Sequence, residues 1–360
     1  MTSFACGSSD SGGGGGGTLP CPSGNCGKES FRRAVPTRSE VAIKHPTGKA
    51  RIGARTPGTK APMLGHKRPV ALEAISPALL AVDDQVVEID AVVDEVFAEL
   101  EGAAETTPEI ETDTEHQWRV ADPELPGQDD VLVITTSDGV QFDIDYYIVP
   151  SGADPEGAAP VVYGDVTLAD DDDVFDFGLT IDLDAYALVD GTFAGQGEIV
   201  IASMPLAGGL SEHWYDYHDV SFDGGPTETS RTTAWAFSET SGSLEFLSDY
   251  DGEFATVYAR WDETGGRYDH HVEFVDPDVG LVDEIATNCW DPTGAEDFDA
   301  WAVIDQSLNY YGELDGEEAS CVFGPVEDLP NPSDEFDNLP ADGEWETLEL
   351  LSWCDVSSSC

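Results

Sequence analysis

The sequence predicts a mainly β protein of the α+β class. Its antiparallel up-and-down meander is expected to curl into a barrel, half-barrel or sandwich, with one long N-terminal amphipathic helix packed on it. Three observations carry that prediction. From Val131 to Phe274, apolar and polar residues alternate in short runs broken by Gly, Asp and Pro. No stretch of helical period long enough for a crossover helix separates those runs, which excludes parallel βαβ units. Upstream, Leu79, Val82, Val86, Ile89, Val93, Val96 and Leu100 recur at steps of three and four, the spacing of a single helix face.

Residues 1–70 read as a flexible tether, Gly/Ser-rich and then basic. Within it, Ser39-Glu40-Val41-Ala42-Ile43 is the one run with strand character and is read as an edge strand. The folded domain is expected over 71–325. Ser76-Pro77 supplies an N-cap and first-turn proline for the helix, and Gly102 stops or weakens it. Thr106 to Gln117, acidic and holding Pro108, is read as a loop. The sheet begins with Val131–Thr136, and Ser137-Asp138-Gly139 turns it into Val140–Val149. Strands are then predicted at Val161–Leu168, Val174–Leu183, Thr192–Ser203, Trp214–Phe222, Thr232–Phe237, Gly242–Leu247, Phe254–Trp261 and Tyr268–Phe274. In Phe175–Leu183 every odd position is large and apolar, while even positions are acidic, small or hydroxylated. A strand sends these to opposite faces, one dry and one wet. Glu284–Asp291 and Phe298–Asp305 read as a further hairpin, and residues 326–360 as an acidic, irregular tail.

The charge is extreme and lopsided. The chain has a formal net charge of −58; its first 70 residues hold 11 Lys+Arg against 3 Asp+Glu, and the remainder 4 against 70. Such a body repels phosphate backbones, so nucleic-acid partners are not expected. The acidity fits a secreted, soluble monomer, an adaptation to high salt, or a surface that gathers Ca²⁺ or a basic protein partner.

Seven cysteines are present, none in a metal-finger CxxC pair, so structural zinc of that kind is not expected. With Cys6 set aside, the remaining six allow 15 pairings. Cys289 and Cys321 lie in or beside the patterned region and are the favoured disulfide, while Cys21–Cys26 and Cys354–Cys360 would close small local loops.

The start of the chain, Ala5-Cys6-Gly7-Ser8 running into the glycines 12–17, resembles the mature N-terminus of a bacterial lipoprotein. Ser3 stands where that motif usually has Leu. The resemblance implies a signal peptide ahead of the motif, lipidation at Cys6, a membrane partner through the lipid, and an extracytoplasmic location. That location is membrane-anchored, in the periplasm or at the cell surface, or secreted. It implies nothing about activity.

Four constellations bear on chemistry. His213, Asp216 and His218, with His270 and His271, form the candidate set for a transition ion if their strands are neighbours. Asp170, Asp171, Asp172 and Asp173 form a candidate Ca²⁺ cluster, and Asp249/Asp251/Glu253 and Asp276/Asp278/Asp283 are similar in kind. None has the twelve-residue EF-loop pattern. The aromatics around Trp214, Trp235 and Trp261 read as core rather than as a sugar-binding row. No catalytic motif occurs. The expected function is therefore a non-catalytic cell-envelope or secreted lipoprotein, a binding or structural module with room for an apolar ligand between helix and sheet. The alternatives are a metal-dependent hydrolase built on the His/Asp set and a Ca²⁺-dependent adhesion module.

Overall fold

The computed structural model describes residues 28–41, 96–123, 125–169, 174–206, 210–222, 224–236, 241–250, 253–276, 280–305, 309–325 and 346–347. The chain divides into two compact units, Met1–Ala42 with Val92–Thr227, and Ile43–Ala91 with Glu228–Cys360. Cys6 and the acidic run Asp170–Asp173 lie outside the described residues.

In the first unit, β1 (Ile110–Glu111), β2 (Glu115–Ala121), β3 (Gln128–Thr136), β4 (Gln141–Pro150), β5 (Val162–Leu168), β6 (Val174–Asp182), β7 (Gln196–Leu206) and β8 (Leu210–Ser221) pair antiparallel in chain order. Alternation sets one continuous dry face. Across β2–β4 the register aligns His116–Ile134–Ile144 and Trp118–Leu132–Tyr146. Across β6–β8 it aligns Leu179–Ile201–Tyr215 and Ile181–Ile199–Tyr217. All of these side chains are buried. Each large apolar one contributes roughly 1.5–3 kcal/mol, and a one-residue slip would expose a whole row together. The β3–β4 turn uses Gly139 at φ 72°, where a side chain would be strained, and Thr136 Oγ1 accepts from its N–H at 2.9 Å. A bulge at Gly197, φ 91°, shifts the β7–β8 register, and a Cβ there would strike the carbonyls of His218 and Asp219.

Three short helices accompany this sheet before β6: α1 (Lys28–Arg33), α2 (Arg38–Val41) and α3 (96–104). Phe31 of α1 stacks on His116, centroids 3.9 Å apart, and meets Phe142 edge-on at 5.3 Å. Phe97 of α3 meets Phe177 edge-on at 6.3 Å, and Leu100, Ala103 and Ala104 are buried with it. A fourth helix, α4 (Leu183–Val189), follows β6, with Asp182 capping Ala185 N–H at 2.8 Å.

Several expectations need correction. Among the described residues no register joins β1 or β2 back to β8, so the run is not closed into a barrel. Closure is unnecessary where short helical segments already shield the dry face. No long helix occurs among the described residues: α3 covers nine residues, and Leu79, Val82, Val86, Ile89 and Val93 lie outside them. The buried stripe of α3 runs through Phe97, Leu100 and Ala104, so Leu100 of the expected stripe is buried while Val96 is half-buried, and the helix runs on to Ala104. Residues 38–41 form a helical turn rather than an edge strand. Thr37-x-x-Glu40 is a capping box, in which Glu40 accepts from Thr37 N–H at 2.7 Å and from its hydroxyl at 2.8 Å. The loop expected up to Gln117 gives way to β2 at Glu115, whose Trp118 is fully buried.

A carboxyl cluster is set into this dry face. Tyr146 Oη donates to Glu99 of α3 at 3.3 Å, and Asp130 lies beside Tyr146 and Asp122. Burial, then the negative charge of Asp122, raise Asp130 to about 6. Burial, then Glu99 and Asp130, push the Tyr146 phenol up as well. A carboxyl group raised in the fold favours folding when protonated. Its stabilising contribution is complete below its unfolded value near 3.8 and is lost as pH rises through about 6. Asp130→Asn is therefore expected to stabilise the unit at pH 7.5 by on the order of 1 kcal/mol, discounted because Asp130 is only part-buried. It should also flatten the melting-temperature profile between pH 4 and pH 6.5; parallel profiles for the two proteins would contradict this.

The second unit repeats the architecture. β9 (Glu228–Ala236), β10 (Gly242–Tyr250), β11 (Glu253–Asp262), β12 (Gly265–Asp276), β13 (Gly280–Trp290), β14 (Glu296–Asp305), β15 (Asn309–Gly316) and β16 (Glu346–Thr347) pair antiparallel in chain order. Among the described residues this run is also open, with no register joining β15 or β16 to β9. The 3₁₀ turn Glu318–Ser320 follows β15, and Cys321 forms a disulfide with Cys289 of β13.

Candidate functional site

The densest polar chemistry among the described residues lies on β12 and β13. Residues opposite each other in an antiparallel pair share a face, so Arg267/Cys289, Asp269/Thr287, His271/Ile285 and Glu273/Asp283 lie along one side. Tyr268/Asn288, His270/Ala286 and Val272/Glu284 lie along the other.

On the first side, the end near Trp290 is covered by residues 317–325. Arg267, 2% exposed, forks onto Asp269, Nε to Oδ2 at 2.8 Å and Nη2 to Oδ1 at 2.9 Å. Its Nη1 donates to Glu318 Oε1 at 2.9 Å, and Thr287 Oγ1 donates to Asp269 Oδ1 at 2.7 Å. Burial alone would lower the guanidinium pKa, but the hydrogen bonds and charges of Asp269 and Glu318 outweigh it and hold it above its ordinary value. The Cys289–Cys321 disulfide, with Phe298 and Ala300 beneath it, fixes the covering segment, and Arg260 lies over the Phe323 ring at 5.3 Å.

Further along the same side, Ile285 and Ala302 are fully buried. There His271, Glu273 and Asp283 converge, each offering a donor atom within 4.8 Å of the others. His271 Nε2 stands 3.7 Å from Asp283 Oδ1. The turn between β12 and β13 fixes this meeting, since counting back equally from Asp276 and Gly280 pairs Glu273 with Asp283.

The expected histidine set is distributed differently. His270 faces the opposite side of β12, with Nδ1 3.2 Å from Tyr268 Oη and Nε2 3.3 Å from Glu284 Oε1. There burial, then the charge of Glu284, push the Tyr268 phenol up. His213 is buried on the dry face of β8, its Nε2 3.0 Å from Ser211 Oγ. Asp216 and His218 project from the reverse face of that strand, His218 exposed. β8 therefore does not gather His213, Asp216 and His218 on one face, and β12 turns His270 away from His271. Glu273 escaped the sequence reading, although His-x-Glu on a strand puts both side chains on one face. Asp283 was read only in a Ca²⁺ grouping with Asp276 and Asp278.

The first unit carries an open cleft of about 760 Å³ between α1, α2 and α3, lined by Arg32, Arg33, Val35, Thr37, Arg38, Glu101, Ala104 and Glu105. Five of these eight lining residues carry charge. Arg33 pairs with Glu40 at 2.6 Å, and Arg32 donates to the Thr106 carbonyl at 2.9 Å. The chain matches no protein family, no curated protein and no solved structure with which it was compared.

Proposed function

We propose that this chain is an extracytoplasmic, non-catalytic module of the bacterial cell envelope. In this reading it is held to the membrane through a lipid on Cys6 and displays an antiparallel meander for binding or structural work. The observation that carries it is the Cys289–Cys321 disulfide in the packed core of the second unit, beside Phe298 and Ala300. A disulfide placed where it fastens a covering segment belongs to an oxidising compartment. The Ala5-Cys6-Gly7-Ser8 junction adds the attachment point, and a net charge of −58 argues against phosphate-backbone partners.

The test is cell fractionation of the protein produced from its own locus. The wild type is expected to enter the detergent phase and to take up labelled fatty acid, and Cys6→Ser to move to the aqueous phase without label. Equal partitioning of the two proteins would remove the anchor from this reading.

A further inference from the structure

We propose that His271, Glu273 and Asp283 form a binding site for a single first-row divalent transition ion, for which Zn²⁺ is the probe. The proposal goes beyond the envelope role above and does not depend on it.

The first argument is placement. His271 and Glu273 are two residues apart on β12 and so share a face, and Asp283 is the direct cross-strand partner of Glu273. Three donors thus come from two hydrogen-bonded strands, and their positions are set by backbone register rather than by long flexible loops. Their donor atoms all lie within 4.8 Å of one another. The 3.7 Å between His271 Nε2 and Asp283 Oδ1 is close to the ~3.3 Å that separates two ligands of a tetrahedral ion bound at about 2.0–2.1 Å. Small side-chain movements would bring all three donors onto one ion.

The second argument is electrostatic. Glu273 and Asp283 are like charges directly opposite in an antiparallel pair, an arrangement that destabilises a sheet on its own. The register neighbours on the same face are Phe254 and Thr256 of β11, Ile285 of β13, and Ala302 and Ile304 of β14. None carries a positive charge. Asp283 Oδ1 is buried and accepts no hydrogen bond among the described residues. A divalent cation would supply the charge that the neighbouring strands lack and a partner for that oxygen.

The third argument is selectivity. One neutral imidazole and two carboxylates match the +2 charge of the ion. The imidazole favours Zn²⁺ and its first-row neighbours over Ca²⁺ and Mg²⁺, which prefer oxygen ligands alone. This separates the site from the general acidity of the chain, whose 73 Asp and Glu side chains attract any cation weakly. Three protein ligands leave coordination positions for water or an exogenous ligand.

The experiment uses the full chain, stripped with chelator and held in excess Ca²⁺ at physiological salt so that oxygen-only surface sites are occupied. Calorimetric titration with Zn²⁺ is expected to show one site per chain. His271→Ala and Asp283→Asn should each weaken binding at least tenfold, with unchanged circular dichroism. Zn²⁺ heat that vanishes in the Ca²⁺ background, or that both variants retain in full, would overturn the proposal. A measurement on the wild type alone guards against a variant that fails to fold. Substoichiometric Mn²⁺ should broaden the imidazole resonances of His271 well before those of His218, which is exposed beside Asp216 and Asp219 on β8. Equal broadening of the two would mean diffuse attraction to acidic surface, and the site would fall.

Discussion

Arg267→Met will destabilise the second unit by about 3–5 kcal/mol, the cost of removing one partner from a buried ion pair. Arg267 and Asp269 are both 2% exposed, so the Asp269 carboxylate left behind would have neither water nor a cation. Thr287 Oγ1 would remain its donor at 2.7 Å, and one neutral hydrogen bond does not offset a buried charge. Glu318 would lose its guanidinium partner in the same step, loosening the segment that carries Cys321. The companion experiment separates charge from packing. Arg267→Met combined with Asp269→Leu removes both buried charges and should recover most of the lost stability, because a buried ion pair replaced as a whole is often neutral or stabilising. Urea unfolding followed by fluorescence reads both changes. A single variant within 1 kcal/mol of wild type, or a double variant as unstable as the single one, would show that the cluster is not what holds this part of the sheet together.

Arginine has few places to act in so acidic a chain. Only four occur after residue 70, and Arg119, Arg260 and Arg267 sit at points of contact between segments. Arg119 on β2 pairs with Asp129 Oδ2 at 3.1 Å and donates to the Ala153 carbonyl at 2.9 Å. Asp129 also accepts from Gly152 N–H and Ser151 Oγ, each at 2.8 Å. The Gly152 and Ser151 hydrogen bonds, followed by Arg119, outweigh burial and hold that carboxyl below its ordinary value. Arg267 plays the corresponding part in the second unit. The abundant acids need no individual explanation, whereas the rare cations mark where structure depends on charge.

The strands were legible because their signal is local. Alternation with period two, cut by Asp-Gly and Gly-Gly turns, specifies both a strand and its hairpin partner, and chain-order pairing follows. Closure was not legible, because it depends on whether something else covers the dry face. The helix α1 that does so sits in a basic, Gly/Pro-rich stretch that reads as a tether. Phe31 there reaches both His116 and Phe142. The capping box Thr37-x-x-Glu40 was a usable signal for α2, masked by the β-branched Val41 and Ile43. In β2, Trp118 and Val120 alternate with Arg119 and Ala121, yet the acidic residues before them drew the segment into a loop. The candidate site was half legible. His271 stood out as one of seven histidines, but its partners follow from counting positions back from the β12–β13 turn, and that count needs the turn placed to the residue. Composition brings histidines to notice without saying which face each occupies, so the condition that their strands be neighbours could not be resolved from the sequence.

Reduction of Cys289–Cys321 is the other large effect. The bond closes a loop across a sequence separation of 32, for which the loss of unfolded-chain entropy amounts to about 3–4 kcal/mol. Cys289 is buried with Phe298 and Ala300 while Cys321 is only partly covered, so the two cysteines are not equivalent as targets. Cys321→Ser removes the crosslink and leaves a tolerable hydroxyl near the surface. Cys289→Ser adds an unpaired hydroxyl in an apolar cluster and should cost about 1–3 kcal/mol more. Wild type under reductant should melt like Cys321→Ser, and reductant should leave the melting of Cys321→Ser unchanged. Because residues 317–325 cover Arg267, loss of the bond should also expose the ion pair to water, so the penalty for Arg267→Met should shrink in the Cys321→Ser background. A double-mutant cycle with no coupling would mean that the covering segment stays in place without its crosslink. The disulfide would then act on the unfolded chain alone, and Glu318 and Phe323 would be sufficient to hold that end of the sheet closed.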